Sequence, residues 1–93
     1  MTDRTPCRTP TGTSATNIPT WKYEVCREAI STVLADGEVK AADIAKRAGE
    51  HLTKEQLADL GALGWHMTTV RLEMEVRGEI VRLKGSPLRL KLA

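Results

Sequence analysis

The stretch from residue 64 to the C-terminus constrains this chain most. Met67, Val70 and Met74 recur at helical spacing, so one stripe of a helix over residues 65–77 should pack inward. Gly78 stands where that helix must stop, because glycine takes the left-handed C-terminal conformation without strain. Beyond it, residues 80–84 and 88–92 read as two strands around Gly85-Ser86-Pro87. The second strand alternates, with Leu88, Leu90 and Leu92 on one face and Arg89 and Lys91 on the other. A helix closed by glycine and followed by a basic hairpin over 79–92 is therefore expected.

Upstream, a first helix should begin near Thr20, capped by that hydroxyl, and end at Asp36-Gly37. Val25, Cys26, Ala29, Ile30, Val33 and Leu34 form its apolar stripe, with Trp21 and Tyr23 as packing anchors. A short second helix follows, where Val39, Ala42, Ile44, Ala45 and Ala48 allow close approach to its neighbours. Lys40 occupies the place where a Ser or Thr cap is usual. Thr53 and Gln56 then fit a capping box, and Leu57 and Leu60 give an inward edge, so an extra short helix is expected.

Residues 1–19 are rich in Thr, carry Pro6, Pro10, Gly12 and Pro19, and hold almost no large apolar side chains. Composition of this kind predicts a disordered N-terminal arm. The near-repeat Arg4-Thr5-Pro6 and Arg8-Thr9-Pro10 reads as part of an inert tail, or alternatively as a basic arm following a DNA groove. Residues 20–93 would then form one small domain, the most that 93 residues allow.

Charge is unevenly spread. The net +2 resolves into +2 over residues 1–22, −3 over 23–63, zero over 64–78 and +3 over 79–93. Cys7 and Cys26 make no disulfide framework and read as two reduced thiols in a cytoplasm. No apolar run reaches membrane length and no hydrophobic signal core is present, so an intracellular, membrane-free protein is expected.

Together these features resemble a winged helix-turn-helix, mainly α with a small β-hairpin: a three-helix core, a short extra helix and a C-terminal wing. Ile44-Ala45 followed by Lys46-Arg47 is similar to the first helix of many bacterial helix-turn-helix units. Leu52-Thr53-Lys54-Glu55, Trp65, Gly78 and the 88–92 strand resemble the N-terminal winged-helix domain of Mrr-type restriction endonucleases. The same pattern is similar to small stand-alone bacterial and phage winged-helix proteins. It covers residues 20–93 and carries no catalytic motif.

No chemistry of an enzyme is legible. His51 and His66 lack metal-ligand spacing, no glycine-rich phosphate loop is present, and Ser31 and Ser86 sit in no nucleophile context. No cofactor, metal or small-molecule substrate is expected. In a DNA-reading role His66, Thr68, Thr69 and Arg71 would meet base edges in the major groove. Arg82, Lys84, Arg89 and Lys91 would grip phosphates, whereas Glu73 and Glu75 would repel them. On a helical wheel Trp65, Leu72 and Val76 form a second, outward apolar strip. That strip admits the wing, a dimer mate or another protein as its neighbour. Two functions follow as expectations: a small DNA-binding regulator, or a winged-helix module that binds protein, such as a phage-type modulator of a host protein.

Overall fold

A computed structural model of the chain describes residues 3–10, 12 and 15–93. The described residues form four helices and two small antiparallel sheets, in the order β1 (Arg4–Arg8), β2 (Ala15–Pro19), α1 (Thr20–Leu34), β3 (Val39–Lys40), α2 (Ala41–Gly49), α3 (Lys54–Leu60), α4 (Leu63–Val76), β4 (Ile80–Leu83) and β5 (Arg89–Leu92). Strands β1 and β2 pair with each other, and the second sheet runs in the order β3-β5-β4.

Local chemistry explains most of these boundaries. In α3, Thr53 Oγ1 accepts from the Gln56 amide at 3.0 Å while the Thr53 amide donates to Gln56 Oε1 at 2.9 Å, which completes the expected capping box. Helix α4 ends as expected at Gly78, whose φ is +77°. The Gly78 amide donates to the Glu75 carbonyl and the Glu79 amide to the Met74 carbonyl, so two terminal carbonyls are satisfied by one left-handed residue. Gly49 eases the approach of α2 to the start of α4: a Cβ there would lie 2.8 Å from Leu63 Cδ2, a side-chain methyl that would have to move aside.

One core joins the elements. Tyr23, Cys26, Ala29, Ile30, Val33 and Leu34 of α1 meet Ile44 and Ala48 of α2, Met67, Val70 and Met74 of α4, and Ile80 and Leu90 of the sheet. The inward stripe expected on α4 is the one observed. Thr20 departs from expectation: Pro19 is the N-cap, without a side-chain bond, and the Thr20 hydroxyl meets Thr5 Oγ1 at 2.9 Å instead.

The larger departure is the N-terminal arm. A disordered segment over 1–19 is not what the described residues form; the parts of the expectation falling on residues 1, 2, 11, 13 and 14 lie outside them. Strands β1 and β2 pair from Arg4↔Pro19 to Arg8↔Ala15, which puts Thr5, Cys7 and Ile18 on one face. Cys7 and Ile18 are buried in the common core. Two apolar side chains on one face suffice because the hairpin docks on α1 and α4; alone, a two-stranded hairpin is marginal.

Candidate nucleic-acid interface

Helix α4 carries the residues on which the functional reading turns, and its two carboxylates decide what it shows to solvent. Glu73 is fully buried, at 0% exposure. Its Oε1 accepts from the Arg8 amide at 2.8 Å and Arg8 Nε at 3.0 Å, while Oε2 accepts from Arg8 Nη2 and Arg77 Nε, each at 2.7 Å. The Arg8 side-chain bonds, followed by the Arg8 amide and Arg77, outweigh the cost of burial and hold the Glu73 carboxyl down at about 2. The side chain of Glu75 is 5% exposed and accepts from Arg71 Nη1 at 3.0 Å and from Arg82 Nε of β4. Each carboxylate is thus bracketed by two guanidiniums. The expectation that Glu73 and Glu75 repel phosphate is overturned, because neither presents a free negative charge.

Residues 71 and 73 lie about 200° apart around the helix, so the two clusters face opposite flanks. Arg8–Glu73–Arg77 faces the β1–β2 hairpin. Arg71–Glu75–Arg82 faces the β4–β5 hairpin. On the β4–β5 side Arg71 is largely covered and lies with Thr68 against Ala41 and Ala45 of α2. Burial lowers the Arg71 pKa, with Glu75 opposing that shift, and a guanidinium so placed keeps its charge.

The expected DNA-contacting residues do not all converge. His66 is buried, its Nδ1 is 2.7 Å from the Ala62 carbonyl, and its ring meets the Trp65 ring edge to face at 4.8 Å. It is a packing residue of the helix start, with Nδ1 taken up by the Ala62 carbonyl. Thr68 is exposed and Thr69 half-buried. Arg71, Thr68 and Arg82 come together on the β4–β5 side of α4, with Lys84 exposed beyond the end of β4.

Arg89 and Lys91 lie elsewhere. The register Arg82↔Leu90 and Leu83↔Arg89 puts Arg82 on the helix-facing side of the sheet and Arg89 and Lys91 on its outer side. The four hairpin cations expected to grip phosphates therefore fall into two groups on opposite faces of the sheet. Arg89 pairs with Glu38 at 3.1 Å and sits opposite Lys40 of β3. In the sequence Lys40 is legible only as a poor helix cap, since nothing local announces β3.

The outward strip is present in part. Trp65 is 49% exposed, and Leu72 and Val76 are half-buried. Among the described residues no three His, Cys, Asp or Glu side chains gather as a metal set, and no helix is long and apolar enough to cross a membrane. No curated protein and no solved structure matches the chain. A family model does match, over residues 4–90, and by it the chain belongs to a family of unknown function (DUF6958).

Proposed function

We propose that the chain is a winged-helix DNA-binding protein, with the outward face of α4 set against the major groove and the β4–β5 wing against phosphates. The pairing of β3 with β5 supports the winged-helix reading, because it ties the hairpin to the α1–α2 connection and fixes the wing relative to the helices. The observation that carries the DNA reading is the bracketing of Glu75. On that flank Arg71, Arg82 and Lys84 stand against one covered carboxylate, and Thr68 lies exposed beside them. Arg82 is half-exposed, so its guanidinium can face a phosphate while Arg71 keeps Glu75 paired.

Gel shifts at two salt concentrations test this. Arg82→Ala with Lys84→Ala should weaken binding to all sequences alike and reduce the slope of log K against log salt by about 2, one unit for each phosphate no longer neutralised. Thr68→Ala should change sequence preference instead. Absence of a shift, or one indifferent to salt, would refute the reading. A second reading, a protein-binding module, draws on one observation: half-exposed Trp65 stands on the same outward side as Leu72 and Val76.

A further inference from the structure

Trp65, Thr68, Thr69, Leu72 and Val76 fall within about 100° of the circumference of α4, on the side away from the buried Met67, Val70 and Met74. Trp65 is 49% exposed, Thr68 is exposed, and Thr69, Leu72 and Val76 are half-buried. Each offers apolar surface: an indole ring, a threonine methyl or a branched aliphatic group. The side chains that read bases by paired hydrogen bonds are Arg or Lys for guanine, Asn or Gln for adenine, and Asp or Glu for cytosine. Helix α4 has no Lys, Asn or Gln. Its single Arg, Arg71, is largely covered and donates to Glu75, while Glu73 and Glu75 are themselves buried against guanidiniums. What remains on the outward face is chemistry for apolar contact. Charge stands at both margins of that face: the Arg82 side chain on one flank and the Arg8 side chain on the other are each about half exposed. An apolar strip between two cationic margins matches a DNA groove, where base edges lie between two phosphate backbones.

We propose that the outward face of α4 reads thymine methyl groups in the major groove, so that A·T-rich duplex DNA is the preferred partner. Of the features that base pairs present in that groove, the thymine 5-methyl is the apolar one. The Thr68 and Thr69 hydroxyls bond to more than one base and do not select by themselves, whereas their methyls, with Trp65 and Leu72, supply the surface a thymine methyl packs on. The inference rests on the DNA-binding reading above and adds the base chemistry to it.

The test compares binding of the full chain to alternating A·T, A·U and G·C duplexes at one salt concentration. Uracil differs from thymine only in lacking the 5-methyl, so the A·T and A·U duplexes share their phosphates, base pairing and minor-groove edges. The wild type should bind the A·T duplex more tightly than the A·U duplex, by about fourfold for each methyl buried, and more tightly than the G·C duplex. Thr68→Ser removes one exposed methyl and keeps the hydroxyl, and Trp65→Ala removes the ring; thermal melts establish that each variant folds. Both should bring the ratio of A·T to A·U affinity toward one with the salt slope unchanged, since no phosphate contact is lost. Arg82→Ala with Lys84→Ala should instead weaken binding to all three duplexes and keep the ratio. Salt-dependent binding with equal affinity for A·T and A·U duplexes, or a ratio that neither Thr68→Ser nor Trp65→Ala changes, would overturn the inference, leave DNA binding in place and free the strip for a protein partner. Absence of binding to all three duplexes would refute the inference together with the DNA reading.

Discussion

Replacing Glu73 by Gln tests the clasp that holds the N-terminal hairpin to α4. The wild-type carboxylate accepts three bonds from Arg8 and one from Arg77. A glutamine keeps one acceptor oxygen, turns the other into a donor facing a guanidinium, and removes the charge. Breaking a fully buried ion pair costs about 3–5 kcal/mol. Here the Arg8 and Arg77 side chains are 53% and 38% exposed, so water re-solvates them and trims the loss. An expected destabilisation of roughly 2–3 kcal/mol at pH 7 follows, or on the order of 10–20 °C in melting temperature for a chain of this length.

The effect should depend on pH in one direction. The folded carboxyl lies near 2 against 4.5 in the unfolded chain, so its stabilisation is fully present above 4.5 and disappears as pH falls toward 2. The gap between wild type and Glu73→Gln should therefore narrow across that window. Urea melts at pH 7, 4.5 and 3 measure the gap, and labelling of Cys7, buried under the hairpin, reports whether the hairpin itself has loosened. A gap below about 0.5 kcal/mol at pH 7, the range of ordinary surface substitutions, would refute the clasp. A gap unchanged from pH 7 to pH 3 would show that it is not one of charge.

Two further perturbations bear on the same surfaces. Deleting residues 1–18 should lower the melting temperature sharply, because Cys7 and Ile18 are core residues and loss of one Ile side chain alone costs about 2–5 kcal/mol; an unchanged melt would mean the hairpin contributes nothing. Leu72→Glu should fold, since Leu72 is half-buried, yet lose DNA binding through added repulsion if α4 meets the groove, or lose self-association in sizing experiments if the strip is an interface; a variant that unfolds would place Leu72 in the core, and one that keeps every activity would remove the strip from consideration.

What can be read from the sequence follows from local periodicity. The inward stripe of α4, its glycine stop, the capping box of α3 and the alternation of β5 all depend on residues within a few positions of one another. The hairpin does not share that property. Thr5, Cys7 and Ile18 carry little apolar area, and composition alone assigns such a segment to disorder. It folds because a carboxylate 65 residues away receives Arg8. Strand β3 is illegible for the same reason: two residues gain strand geometry only through pairing with β5, about fifty positions later.

Charge counted without partners misleads at the site. Glu73 and Glu75 sit two residues apart on one helix, and their number says nothing about whether they meet solvent. Burial reverses their meaning, from repelling a polyanion to holding guanidiniums at the surface. His66 inverts likewise, from a contact residue to a helix-start packing residue, because its orientation depends on the Ala62 carbonyl rather than on its place in a motif. The family match begins at residue 4 and so takes in β1, which makes the hairpin part of the family's domain. With the β1–β2 hairpin occupying the Glu73 flank and the β4–β5 hairpin the Glu75 flank, α4 is left Trp65 and Thr68 as its exposed outward residues, with Thr69, Leu72 and Val76 half-covered. DNA and a protein partner would therefore compete for the same narrow face of α4, and binding of one there should exclude the other.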